Sequence, residues 1–360
     1  MTLVEMLSLI AVIALAFLIA SRWTLTNRLN AHKSQCLNNL RQLSMAAIGY
    51  EHSFGRFPPG MTWSVAPGQV SRESSLVTGA GAFVAVLPYI DHANAYHAVN
   101  FTIPIHTPQN TTVCGWRIDQ MQCPADTAFE PALLDGRLLT GGVSDGTHRV
   151  TKSNYAFVAG PWVVNTWKIP GVGLGERSSY PEIVRNQLGL FNVHSQIKLS
   201  DVLDGSSNTL MLGERSLRAL PEASRRDAFW WFSGNHGDSL MTTMFPPVAP
   251  DSGYPAAVSA LAPSSQHEGA VQFAFADGSV RSFEIDPTEA TKMRPKPVPH
   301  QLLPHLQGYM TADVEARSVG PDPFWDTTFA LRPNARMTLL QKLSTRAGGE
   351  SVPAADSQGD

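Results

Sequence analysis

The N-terminal stretch from Met1 to Ala20 constrains this chain more than any other. From Met6 to Ala20 it reads MLSLIAVIALAFLIA without a charge, Thr2 is the only polar side chain from Met1 to Val4, and Glu5 is the single charge before Arg22. At ~1.5 Å per residue, a helix of about twenty residues spans the ~30 Å hydrocarbon layer, so the run is long enough for one membrane crossing. A carboxylate at the bilayer centre costs roughly 2.5 to 3.5 kcal/mol, less near a helix end, and Glu5 therefore calls for a partner. A secretory signal peptide is the competing reading. Against it stand an n-region without Lys or Arg, no small-x-small cleavage site, and a helical pattern that continues past Arg22. Leu25, Leu29, Leu37, Leu40, Leu43, Ala47 and Ile48 recur at helical spacing with no Gly or Pro before Gly49. One helix is expected from Thr2 to about His52, apolar in its first half and amphipathic in its second.

The run FGRFPPG ends that helix, because Gly55 and the Pro58-Pro59 pair break it and start an extended segment. The chain is sparse in charge, 16% against a usual ~25%, while 43% is hydrophobic, a balance that suits an exported globule with a sizeable core. With 28 Gly, 26 Pro and recurrent polar turn clusters, the globule is expected to be rich in loops and strands. A net charge of -3 argues against nucleic acid as a partner. SNYAFVAG, residues 153–160, reads as a strand. Residues 189–215 read as a strand, a short helix or turn over Asp201 to Asp204, the turn Asp204-Gly205, and a strand from Thr209 to Gly213. DHANAYHAVNF suits a short helix, and DQMQCPAD reads as a strand end turned by Pro124. The strongest hairpin signal lies near the end. Val271, Phe273 and Phe275 alternate on one face, Asp277-Gly278 supplies a turn with positive φ, and Val280 with Phe283 resumes the apolar face.

Chemistry-bearing patterns are few. His92, His97 and His106 lie close in sequence, but no Cys or acidic residue completes a zinc-type pair. Gly171, Gly173 and Gly175 lack the strand and helix context of a nucleotide loop. Asp201, Asp204, Ser206 and Asn208 have the oxygen chemistry of a calcium loop, while such residues more often cap helices and stabilise turns. There is no GxSxG elbow, no HExxH and no P-loop. His267 with Asp277 or Asp204 forms a conceivable acid–base pair, and the preferred reading is structural, with His267 hydrogen-bonded to the turn that Asp277 closes. The chain is read as neither an enzyme nor a cofactor protein. Three cysteines are too few for a disulfide scaffold, and one bridge with a spare thiol fits an oxidising compartment.

Thr2-Leu3-Val4-Glu5 followed by the apolar run resembles the start of type IV prepilins and pseudopilins. In that family a peptidase cuts after Gly and methylates the new N-terminus, and the Glu at the fifth mature position pairs with a neighbouring subunit's terminal amine. With Met1 as first mature residue, Glu5 holds that place. The rest of the chain is similar to a large bacterial family of unknown function whose members begin with the same segment. The similarity rests on His267, nine residues, then Asp277-Gly278, and on SQCLNNLRQL, FPPG, LPYID, CPAD, NYAFVAG, DVLDGSSNTLMLGER and STRAGGE. Arg22 stands where that family usually has Pro, and the Pro-rich segment 287–335 is longer than expected.

The resemblance implies an α+β, pilin-like fold, with one long helix packed on an antiparallel sheet and a large β-rich elaboration. The parts would be an apolar segment 1–21, its amphipathic continuation 22–53, an exported domain 54–346 and a tail 347–360, partly disordered. It implies a single-pass inner-membrane protein with its C-terminal domain periplasmic or extracellular. The expected partners are other pilin-like subunits and a prepilin peptidase. Arg22, Arg28, Lys33 and Arg41 all follow the span, so a basic leader ending in Gly is expected before Met1. Cys36 and Cys123 lie in the resembling segments and Cys114 does not, which implies a Cys36–Cys123 disulfide, with Cys114–Cys123 as the rival. The alternatives to a structural subunit are a monomeric anchored binding module, using Trp162, Trp167, Trp230 and Trp231, and a membrane-tethered hydrolase.

Overall fold

The computed structural model describes residues 2–62, 79–103, 105, 108–127, 132–135, 147–161, 163–164, 188–192, 195–226, 228–250, 256–285, 314–318, 327–331 and 337–349. Helix α1 runs without interruption over Leu3–Phe54, 52 residues or about 78 Å at the usual rise. Thr2 and Glu5 start it as a capping box: the Thr2 N–H donates to Glu5 Oε2 at 2.9 Å and the Glu5 N–H to Thr2 Oγ1 at 3.3 Å. Gly55 stops it in the left-handed region, φ 67°, with its N–H on the Glu51 carbonyl.

The two halves of α1 live in different surroundings. Leu3, Val4, Leu7, Ile10, Ile13 and Phe17 are all more than half exposed, and the apolar side chains cover every side of this half. By length and composition α1 can cross a membrane. From Cys36 onward one stripe is buried: Cys36, Leu40, Leu43 and Ala47, spaced at four, three and four, are each fully shielded.

That stripe lies on a five-stranded sheet of order β6-β3-β5-β7-β8, made of β3 (Tyr155–Val158), β5 (Leu210–Glu214), β6 (Leu240–Met241), β7 (Ala270–Phe275) and β8 (Val280–Glu284). The pairs β3/β5, β5/β7 and β7/β8 are antiparallel. The edge strand β6 is parallel to β3, so the sheet is mixed where the sequence suggests an antiparallel one. A two-residue strand has no alternation of its own to announce its direction, and β6 reaches β3 from more than eighty positions away. The fold is α+β.

The β7–β8 hairpin turns on Gly278 at φ 83°, and a Cβ there would stand 3.0 Å from Met45 Sδ, so the turn sits directly against α1. Beneath the helix an aromatic chain fills the core, with Phe83, Phe157, Phe191 and Phe57 in ring contact at 4.5 to 6.0 Å. DQMQCPAD is not a strand end. A 3-10 turn over Asp119–Met121 leads into Cys123, whose N–H is taken by a side chain and not by a neighbouring strand. Two smaller sheets complete the described strands. In one, β1 (Ala132–Asp135) pairs with β2 (Thr147–Val150). In the other, β10 (Thr327–Leu331) lies between β4 (Val163–Val164) and β9 (Val314–Ser318), so part of segment 287–335 is strand. The rest of that segment, Met1, His106, Trp162, Trp167, the glycines at 171, 173 and 175, and the tail beyond Gly349 lie outside the described residues.

Candidate functional site

Cys36 begins the buried stripe of α1, and it is bonded to Cys123, with a Cα–Cα distance of 5.3 Å. Cys114, the spare thiol, is buried elsewhere, donates to the Ile105 carbonyl and has its pKa pushed up by burial. Around the bridge the segments SQC, CPAD, NYAF, LGER and SSQH come together.

Asn154 ties them. Its Oδ1 accepts the Cys123 N–H at 2.8 Å, and its Nδ2 donates to Asp126 Oδ2 at 2.9 Å and to the Arg215 carbonyl at 3.1 Å. Asp126 also accepts the Leu217 N–H at 2.7 Å. Asn39, one turn of α1 beyond Cys36, donates to the Gln122 carbonyl at 2.9 Å. The Tyr155 hydroxyl reaches the Cys36 carbonyl at 3.5 Å, and burial, followed by the charge of Glu214, raises its pKa well above the usual value, so it remains a donor.

Two more side chains face the sulfurs. His267 Nε2 lies 3.5 Å from Cys123 Sγ and 3.3 Å from Glu214 Oε1. Glu214 ends β5 opposite Tyr155, its side chain is 1% exposed, and neither oxygen accepts a hydrogen bond among the described residues. Arg215 follows directly but serves another region. It is fully buried, donates to the carbonyls of Tyr155, Ala260 and Asp238, and lies over the Phe229 ring at 4.1 Å. Burial lowers its pKa to about 9, with Asp238 working against the shift.

The site differs from the expectations in named ways. His267 does not bond the turn that Asp277 closes; Asp277 Oδ1 accepts from Ser279 N–H and Oγ–H at 2.9 and 2.7 Å. The imidazole turns to residues far away in sequence. Nor does His267 pair with Asp204, whose carboxylate holds the C-terminal segment by the N–H groups of Gly348 and Gly349, at 2.7 and 2.9 Å, and by Thr345 Oγ1 at 3.2 Å. Asp201 accepts the Lys198 N–H at 2.9 Å, Asn208 Nδ2 donates to the Asp204 carbonyl at 3.4 Å, and Gly205 takes φ 92°. The proposed calcium residues thus cap turns, and Asp204 joins DVLDG to STRAGG. His92 faces Gln120. Trp230 and Trp231 are core side chains, 6% and 0% exposed, and present no surface to a polysaccharide or a protein. Glu214 is the site residue that no sequence motif marks. Its signal was a carboxylate closing the apolar run LMLG with no turn residue behind it.

A buried disulfide tying a membrane-competent helix to the segment after the Asp119–Met121 turn, ringed by interlocked sequence segments, marks an α+β domain that follows a helix apolar in its first half. Residues 27–287 match the family described as "Protein of unknown function (DUF1559)", and the chain belongs to that family. The match begins within α1, after its most apolar part. Comparison with curated proteins and with solved structures gave no match to either.

Proposed function

We propose that this protein is a membrane-anchored, exported structural subunit of pilin type, whose apolar half-helix sits in the inner membrane and then packs against the same segment of other subunits. The observation that carries the reading is α1 itself. One unbroken helix is apolar and exposed on all sides at one end and cross-linked into a core at the other. A helix that is hydrophobic all round needs lipid or other apolar helices as its surroundings. The disulfide supports a non-cytosolic destination, since such bonds persist in oxidising compartments.

Glu5 is the assembly residue in this reading. Its carboxylate accepts the Thr2 N–H within the chain, a bond that a neighbouring subunit's terminal amine replaces with a charged partner. Processing by a prepilin peptidase belongs to the same proposal. The test is membrane fractionation with cysteine crosslinking between copies, comparing wild type with Glu5→Ala. Retained membrane association with lost crosslinking is expected. Equal crosslinking in the two proteins would leave a monomeric anchor as the better description.

A further inference from the structure

The Cys36–Cys123 bridge does not satisfy the niche that surrounds it. The Glu214 carboxyl oxygens accept no hydrogen bond there, and among the described residues the potential cation facing them is His267 Nε2, 3.3 Å from Oε1. A buried carboxyl group whose oxygens accept no hydrogen bond is costly, which makes the niche a place that favours a cation. The donor atoms are already gathered: both sulfurs, the His267 nitrogen and a Glu214 oxygen all lie within 4.8 Å of one another. In a tetrahedral zinc site with bonds of about 2.0 to 2.3 Å, ligand atoms stand roughly 3.3 to 3.8 Å apart. The His267–Glu214 and His267–Cys123 separations, 3.3 and 3.5 Å, have those edge lengths without adjustment.

We propose that, with Cys36 and Cys123 reduced, these two thiolates, His267 and Glu214 bind a divalent transition metal of the zinc class, so that disulfide and metal are alternative states of one site. Two sulfur ligands and one imidazole select zinc, or cobalt as its stand-in, over calcium and magnesium. The exchange balances. A dithiol reductant transfers two electrons and two protons to the bridge and becomes a disulfide, leaving two protein thiols. Metal binding then expels both protons to water, and the ion takes its place between the two thiolates, the His267 nitrogen and the Glu214 oxygen. Passage into the site is past His267, whose side chain keeps 7% of its surface open beside the exposed Glu268 and Gly269. The two states hold α1 to the globule through the same cysteine, once by a covalent bond and once by coordination.

The experiment uses the full chain in detergent micelles, either as the disulfide or after reduction and removal of the reductant, with zinc and cobalt as probes. The reduced protein is expected to retain zinc through dialysis and to give a cobalt spectrum with tetrahedral visible bands and a thiolate charge-transfer band in the near ultraviolet. The disulfide form is expected to show neither. Zinc should also shield Cys36 and Cys123 from alkylation in the reduced wild type, a reading that needs no variant. Glu214→Gln and His267→Gln should each weaken zinc binding by more than the ~10- to 100-fold typical of changes around a ligand. A reduced wild type with no thiolate band and unprotected cysteines overturns the proposal. So does zinc binding of equal strength in all three proteins.

Discussion

Asn154 Nδ2 donates to Asp126 Oδ2 at 2.9 Å inside the core, and this bond helps join the segment that carries Cys123 to the strand that begins at Tyr155. Around it Asn154 uses its other polar atoms on Cys123 N–H and the Arg215 carbonyl. Asn154→Ala removes all three bonds and leaves their buried partners short of one each. The expected loss is about 3 kcal/mol, since each unsatisfied buried group costs roughly 1 to 3 kcal/mol. Denaturant titration checks it, and a change below ~1 kcal/mol would show that the three segments are held by packing instead.

Breaking the disulfide should cost a similar amount by a different route. The bridge closes a sequence separation of 87, and loop-closure entropy for a ring of that size is worth roughly 4 to 5 kcal/mol, before any loss to residual structure in the unfolded chain. Cys36→Ser in the absence of zinc should therefore lower the unfolding midpoint well beyond Cys114→Ser, which changes a buried thiol outside the bridge. Parallel thermal melts of the two variants give the comparison.

Stability is expected to fall as the solution is acidified. His236 is buried, its ring nitrogens have no hydrogen-bond partner among the described residues, and burial lowers its pKa from 6.5 to about 4. Between those values the unfolded chain holds a proton that the folded chain refuses, so stability rises with pH across the window. Above about 6.5 the contribution is whole, and about 3 kcal/mol is lost on descending to pH 4. His236→Gln should flatten that part of the pH profile, measured by chemical denaturation at several pH values. An unchanged slope would assign the acid sensitivity to other groups.

Asp204 gives a local prediction. Its carboxylate binds the N–H groups of Gly348 and Gly349, so Asp204→Ala should loosen residues 344–349 and speed proteolysis there while leaving the main unfolding transition within about 1 to 2 kcal/mol of wild type. Calcium and chelators are expected to leave the wild-type melting temperature unmoved. A calcium-dependent rise would restore the ion-binding reading of this loop.

The elements legible in the sequence are those whose signal is local. Helix α1 is written in a repeat of apolar residues with Thr2 at one end and Gly55 at the other, and the β7–β8 hairpin in alternation around Asp277-Gly278. The site is legible only in part, because its logic is long-range. His267 has a suitable turn ten residues away, yet its ring reaches Cys123, 144 positions distant, and no spacing rule connects the two. Glu214 lies just past the strand expected from Thr209 to Gly213, and nothing in its neighbourhood announces that β5, buried between β3 and β7, takes it into the core. The parallel pairing of β6 is equally silent, being fixed by what packs around two residues.

The covalent link at Cys36 also decides how tension travels. If the membrane holds one end of α1 and something pulls on the domain beyond Cys123, the shortest bonded route enters the globule through the sulfurs and bypasses residues 37–122. The second half of α1, the FPPG corner and the short helices after it then lie on a slack branch. A tug strong enough to peel strands apart would reach β3 and β5 while that branch stayed folded against them. Reduction of the bridge would put the whole branch in series with the load, so its helix-on-sheet packing would yield first.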